Sequence, residues 1–415
     1  MTLTLDFSPG SGLAFIPPIG VAGSVSVTPL RNEKFNHGML KSGSQQDVIA
    51  TLSRLISFPT YEEAGMRPCA EFLSSELSKL GFRVEVDRVW NVFGEKEFAG
   101  GEGSFLLNSH FDTVPPTPRW TKKPLQGSLE GEKLYGLGAS DDKASVAATL
   151  HTLADLQSCR FGRLEVLFSS YEDSSTILDG ETWLGAPYFL AHHKLESKSG
   201  VNIEGTVEAD RFMISIGCGG RVGFKVTTLG KEAHSSDPRR GRNAIYDMMH
   251  VIEALRKVTP ASMVLDGHEA YTELNVSKIH GGIAMNIVPG ECEILCERRV
   301  LPNEEWDEVK RQVDAALADV KDINWKVSFN KPQRSYQIPR NHPAVTLANE
   351  SIGKTIGYSP KFKVSSGRTD STYFNEAGIK TVIVGPGEVA HIADEYVNVK
   401  RVDEFSRVLK RMLTE

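Results

Sequence analysis

From residue 46 onward the apolar positions set the rhythm of the chain. Val48, Ile49, Leu52, Leu55 and Ile56 recur at helical spacing until Pro59 halts them, and Phe72, Leu73, Leu77 and Leu80 form a second helical stripe that ends at Gly81. Alternation at 82–86 then predicts a strand, and the apolar run at 104–108 predicts a short buried one. Helical spacing returns after Asp141 with Val146, Ala147, Leu150, Leu153 and Leu156. A strand pattern at 164–168, a helix at 186–194 and another short apolar run at 200–204 follow. Helices alternating with short buried strands predict an α/β fold, a central mixed sheet flanked by helices.

Past Cys218 the rhythm changes. Strand patterns at 222–228, 272–279 and 292–300 interleave with helical ones at 243–258 and 304–317, predicting a compact β-α-β-β-α unit. The earlier rhythm resumes near Pro332, with a helix at 344–352 and a strand at 381–384. A chain of 415 residues exceeds what one core usually supports. The expected division is an N-terminal arm at 1–44, an α/β domain at 45–217 and 331–415, and an inserted α+β domain at 218–330. Within the arm, the apolar residues 13–16 are interrupted by Pro17, Pro18 and Gly20 and preceded by Asp6 rather than by basic residues, which argues against a secretory signal.

Composition removes several function classes. A net charge of -6 and a pI near 6.1 offer no basic surface for nucleic acid or anionic lipid, and no apolar run approaches the roughly 20 residues that a membrane helix needs. The five cysteines are scattered without a zinc-ribbon spacing, so they are expected as free thiols in a reducing, cytoplasmic compartment.

What remains is a set of polar residues just past the strand ends. His110 and Asp112 follow the run at 104–108 two residues apart, and so share one face. Asp141 closes a Gly-rich turn, Glu172 and Asp173 follow the strand at 164–168, Glu204 ends the run at 200–204, and His391 lies beyond the strand at 381–384. Ligands collected beyond strand ends are where α/β sheets build sites. Imidazoles mixed with carboxylates suit zinc or a related divalent ion, and this many acids allow two ions sharing a bridging carboxylate. Without cations the same acids would repel one another and disfavour the fold.

The motifs Ser-His-Phe-Asp-Thr-Val-Pro at 109–115, Tyr-Gly-Leu-Gly-Ala-Ser-Asp-Asp-Lys at 135–143, the acids at 172 and 173, Glu204, Ala-His-Ser-Ser-Asp-Pro at 233–238, Gly-Arg-Asn-Ala-Ile at 241–245 and Gly-Pro-Gly-Glu-Val-Ala-His at 385–391 with Asp394, Glu395 and Tyr396 stand in a characteristic order. From about residue 46 to the end the chain resembles the M20 family of dinuclear zinc amidohydrolases and peptidases. That resemblance implies a zinc-peptidase-like catalytic domain with an inserted α+β lid and dimerisation domain. It implies two Zn2+ per subunit, with Co2+ or Mn2+ as substitutes: His110 and Glu204 on one ion, Asp173 and His391 on the other, Asp141 bridging. It further implies Glu172 as general base, Asp112 as the carboxylate that orients His110, and His234 as a lid residue that stabilises the oxyanion in a partner subunit's site, making the enzyme a homodimer. Asn286 and Arg299 match lid positions suited to the substrate. The chain departs from the pattern at Asp173, one methylene shorter than the usual Glu, at Leu137, and at Arg368, which stands where Gly is usual and brings a cation near the substrate. The expected activity is removal of an N-acyl group from an amino acid, in the manner of the acetylornithine deacetylase branch. A peptidase acting on short peptides and a catalytically silent binding protein are the alternatives.

Overall fold

The computed structural model describes residues 45–173 and 184–415, so the arm expected at 1–44 lies outside the described residues. Among these residues a ten-stranded mixed sheet forms the main body. Its principal order is Arg83–Val86, Val92–Glu97, Arg163–Ser169, Ser104–His110, Ser199–Asn202, Lys380–Ile383, Arg211–Cys218 and Tyr336–Gln337. The middle four run parallel, with His110 opposite Ser169, and both Asn108 and Ile383 opposite Asn202. Their C-terminal ends therefore open on one edge of the sheet.

A parallel sheet is covered on both faces, and this is why these strands are continuous apolar runs rather than alternating ones. Phe105, Leu107, Val166, Phe168 and Val201 face the larger core, shared with the helices Gln45–Ile56, Lys143–Ala154, Pro343–Ile356 and Val399–Thr414. Leu106 and Leu167 face the opposite side, against Phe189, Phe374 and Ile379. The C-terminal helix went unmarked in the sequence because Lys, Arg, Asp and Glu are spread through it. Yet Val402, Phe405, Val408, Leu409, Met412 and Leu413 give it a buried stripe, and the Asn398 side chain caps its start by accepting from the Lys400 N–H.

A second, four-stranded antiparallel sheet, in the order Leu274–Gly281, Glu291–Val300, Gly220–Leu229 and Asn324–Phe329, has its own core. Val222, Phe224, Val226 and Ile294 pack on one face against Met248 and Val251 of the helix Ala244–Leu255 and Val309 and Val313 of the helix Trp306–Ala318. This is the expected unit with one strand added, Asn324–Phe329. A difference also appears around residue 272. There a separate hairpin, Ala261–Leu265 with His268–Thr272, precedes the edge strand, because Asp266 and Gly267 both take positive φ and turn the chain back. The two sheets are joined through Gly219, and the returning chain bridges back at Gln333 to Arg221. All five cysteines are buried and unbridged. No helix among the described residues is long and apolar enough to cross a membrane.

Candidate active site

The parallel strand ends bring most of the expected residues together. His110 Nε2 lies 3.0 Å from Asp141 Oδ1, and His391 Nε2 lies 3.0 Å from Asp173 Oδ1 and 3.4 Å from Asp141 Oδ2. Asp141 thus stands between the two imidazoles. Ligand-type atoms gather in two overlapping groups, His110 with Glu172 and Asp173, and Asp141 with Asp173 and His391. The shorter side chain of Asp173 still reaches His391. Glu204 belongs to neither group; its Oε1 accepts from Asn202 Nδ2 at 2.9 Å, while its charge is felt by Glu172 and His110.

The loops are tied by backbone hydrogen bonds. Asp112 is wholly buried and accepts from the N–H groups of Glu172 and Asp173, each at 3.0 Å, while its Oδ1 lies 3.4 Å from His110 Nδ1. One carboxylate therefore fixes the acid pair and faces the imidazole. Glu395, for which the sequence suggested no role beyond its place in a motif, accepts from the N–H groups of Gly138, Ser140 and Asp141 at 3.1, 2.8 and 3.0 Å. Ser140 Oγ in turn accepts from the N–H groups of Glu388 and Val389, locking the turn that carries Asp141 to the loop that carries His391. The approach is close enough that a Cβ on Gly387 would meet the Ser140 carbonyl at 2.2 Å. Tyr171 and His391 both hold positive φ, 53° and 57°, so left-handed backbone is kept on either side of the cluster at residues that pay for it elsewhere.

Crowding governs the electrostatics. Burial, with the Asp141 charge, pushes Asp173 up to about 7. Burial and Glu172 hold Glu204 well above the usual carboxylate range. Burial alone would lower His110, but its hydrogen bonds to Asp112 and Asp141 override this and raise it well above its ordinary value. The hydrogen bond to Asp173 brings His391 to about 9 despite burial. Asp173 Oδ2 is buried with no hydrogen-bond partner among the described residues. Asp173 and Glu204 pushed toward neutrality, beside an Asp141 that the two imidazoles hold below its ordinary value, are a donor set that a divalent cation would relieve, so the residues fit a metal.

Arg368 is largely buried beside Glu172. Its Nη2 donates to the Glu172 backbone carbonyl at 3.0 Å and lies 3.5 Å from Glu172 Oε1, and Nη1 donates to Tyr373 OH at 2.9 Å. The cation expected near the substrate is engaged with the expected base. The lid residues are not drawn in. His234 is exposed and its Nδ1 pairs with Ser236 Oγ at 2.8 Å; the Asn286 carbonyl accepts from the Ser235 N–H; Arg299 pairs with Glu297 at 2.9 Å. Among the described residues none of the three bonds to the cluster.

The model of peptidase family M20/M25/M40 matches residues 106–415. The chain belongs to that family. An acetylornithine deacetylase of Salmonella paratyphi B is 29% identical over 364 residues, covering 83% of this chain and 88% of that protein. Among solved structures, a tripeptidase from Staphylococcus aureus superposes with a TM-score of 0.71 at 23% identity, covering 91% of this chain and 98% of the other. An M20 metallo-carboxypeptidase from Sulfolobus solfataricus gives 0.73 at 18% identity, with 88% and 98% covered. Human carnosine dipeptidase 1 gives 0.69 at 15%, with 89% and 95% covered. Membership makes the chain an amide-bond hydrolase of a metal-dependent family, with the cluster at the strand ends as its candidate centre.

Proposed function

We propose that this M20 hydrolase removes an N-acyl group from an amino acid, as the acetylornithine deacetylases it is similar to are named for. The observation that carries the reading is the convergence of His110, Asp141, Asp173 and His391 beside Glu172 at the ends of parallel strands. In this assignment His110 and Glu204 hold one divalent ion, Asp173 and His391 a second, and Asp141 is shared, with zinc in both places and Co2+ or Mn2+ as substitutes. Ions bound there would polarise the amide carbonyl and make water more acidic.

The remaining work falls to side chains. Glu172 takes the proton of the attacking water on its carboxylate and returns it to the departing amine. Arg368, bonded to both the main chain and the carboxylate of Glu172, restricts where that carboxylate points. Asp112 holds the His110 ring, and so sets which ring nitrogen is left for a ligand. His234 and Asn286 sit on the lid, spanning about 218–330 between the catalytic parts at 45–217 and 331–415. In a homodimer His234 would donate to the oxyanion in the partner subunit's site. Supporting a dimer, Tyr246, Met249, Ile279, Ile283 and Met285 form exposed apolar surface on the lid helix, its edge strand and the loop that leads to Asn286. A cytoplasmic setting fits five buried, unbridged cysteines.

A peptidase reading has support in the solved relatives, named as a tripeptidase, a carboxypeptidase and a dipeptidase. Assays of N-acetylornithine, N-succinyl-diaminopimelate and simple dipeptides on the zinc-loaded protein separate the two. Turnover of acylated amino acids is the expected result, and turnover of dipeptides alone would overturn the deacylase reading.

A further inference from the structure

Just before Glu172, the chain leaving the strand Arg163–Ser169 is fastened to a side chain that no motif marks. Asn91 is buried, and both its amide N–H groups and its amide oxygen are in use. Its Oδ1 accepts from the Ser170 N–H at 2.9 Å, and its Nδ2 donates to the Gly185 carbonyl at 2.9 Å and to Asp87 Oδ2 at 2.8 Å. Asn91 thus joins Ser170 to Gly185. The two are pressed together, since a Cβ on Gly185 would meet the Ser170 carbonyl at 2.1 Å, and its φ of 66° suits glycine. Ser170 Oγ adds a bond of its own, donating to the Val89 carbonyl at 2.5 Å.

Asn91 is itself firmly held. Asp87 Oδ1 accepts from the N–H groups of Val89 and Asn91, each at 2.9 Å, and the Asp87 N–H donates to the Asn91 carbonyl at 3.1 Å. The next residue begins the strand Val92–Glu97, where Val92 is paired with Phe168. The contact therefore ties the ends of two neighbouring strands. Its consequence follows from Tyr171, which keeps a φ of 53°, left-handed backbone that a bulky side chain adopts only where its surroundings impose it. Asn91 holds the N–H of the residue before Tyr171, and Asp112 holds the N–H of the residue after it. With both neighbours fixed the turn cannot relax, and it aims Glu172 and Asp173 toward His110 and His391. Release of Ser170 would let Tyr171 return to ordinary backbone and carry both acids away together.

We propose that Asn91 is a positioning residue of the reaction centre: by fixing Ser170 it maintains the strained turn at Tyr171, and so sets where Glu172 meets the attacking water and where Asp173 meets its ion. This rests on the roles given above to those two acids. Asn91 touches neither acid and acts only through the main chain between them and Ser170. An amide is suited to this place because it accepts from Ser170 and donates to Gly185 and Asp87 at once, which neither a carboxylate nor an apolar side chain can do.

The test is Asn91→Ala, with the exchanged pair Asp87→Asn/Asn91→Asp as its rescue. The exchange keeps a bond between positions 87 and 91 and an acceptor for the Ser170 N–H, and gives up only the donor to Gly185. In Asn91→Ala, kcat for N-acetylornithine should fall about 10–100-fold with KM little changed, and zinc titration of the metal-free protein should show one of two ions held about 10–100-fold more weakly, the usual range when the support behind a metal ligand is removed. The exchanged pair should recover most of both. Backbone amide exchange should quicken at Glu172 and Asp173 in Asn91→Ala, and not at Glu388 and Val389, whose N–H groups are held by Ser140. Where Asn91→Ala does not fold, Asn91→Asp alone, which sets an acid against Asp87, is read against the exchanged pair in the same way. A lowered urea midpoint with kcat, zinc affinity and these exchange rates as in the wild type would make Asn91 a stabilising residue alone and overturn the proposal, as would an exchanged pair that recovers nothing. If the wild type hydrolyses no acylated amino acid, the deacylase reading fails by itself, and the zinc titration and amide exchange still decide the role of Asn91.

Discussion

The strand-end cluster and the lid surface are built on opposite terms. At the cluster, most charged groups are buried or half-buried, with His391 the exposed member; the loops at 138–141, 172–173 and 388–389 are held by a carboxylate or hydroxyl accepting backbone N–H groups, and His110, Asp141, Asp173 and His391 bring side-chain atoms to about 3 Å within one chain. On the lid, apolar groups are exposed, with Met285 and Ile283 among the most exposed of the large hydrophobic residues, and His234 is exposed, its ring paired with Ser236 of its own turn. A buried charge cluster asks for a cation, and an exposed apolar face asks for a protein partner. In the proposed reading the first region would supply the chemistry, and the second a surface for a partner subunit.

The largest expected effects break the first side of this contrast. Glu172→Gln should lower turnover by about 10²–10⁴-fold, the usual range for a general base, while bound metal by elemental analysis stays near the wild-type level. Asp141→Asn should remove metal and activity together, because the residue lies between both imidazoles. A Glu172→Gln protein that keeps full activity would remove the catalytic assignment. On the lid side, His234→Ala should cost about 10²–10³-fold in kcat with metal retained. Mixing the His234→Ala and Glu172→Gln proteins should return activity, since a hybrid dimer holds one intact site when the histidine acts across the interface. No recovery in fully exchanged mixtures would place His234 within its own chain.

How much of this could be read beforehand follows the physics of each region. The parallel strands are apolar runs bounded by polar loops, so both the α/β architecture and the positions of His110, Glu172 and His391 were legible from residue order. The scaffolding was not. Glu395 reaches a turn more than two hundred residues earlier, and nothing local in Asp394-Glu395-Tyr396 marks an acceptor for three backbone N–H groups. The hairpin at 261–272 was missed because Thr272 and Leu274 read as one continuous strand. Arg368 was noticed as unusual, yet whether it faced substrate or Glu172 depended on the third dimension. The expected pairing of Glu204 with His110 likewise could not be tested by spacing, and the two donor groups omit Glu204.

An intermediate effect tests the interface. Met285→Glu with Ile283→Asp should move the protein from dimer to monomer in sedimentation and lower kcat as subunits separate, with far-UV circular dichroism unchanged, since both side chains are exposed and carry no core packing. A protein that stays dimeric would shift the interface away from this surface.

The smallest effect concerns how the two regions are tied. At the tip of the hairpin, Asp266 accepts from Arg340 Nη2 at 2.6 Å and from the Phe362 N–H at 3.0 Å, and both partners belong to the main body. Leu265 packs against the main core beside it. These bonds hold a part of the chain between the lid helix and the lid edge strand onto the body, close to the strand that leads to Ser365. Asp266→Ala should therefore cost about 1 kcal/mol in stability, as expected for a partly exposed charged acceptor, read as a lowered urea midpoint with unchanged slope. Metal content should not move, because no ligand contacts the hairpin. Both kinetic constants should respond. If the hairpin restrains lid orientation, releasing it alters how often His234 and Arg299 are presented, lowering kcat through the first and raising KM through the second. A change in stability with both kinetic constants unmoved would make the hairpin a fastening alone, and would show that the lid keeps its place through the strand junction at Gly219 and Gln333.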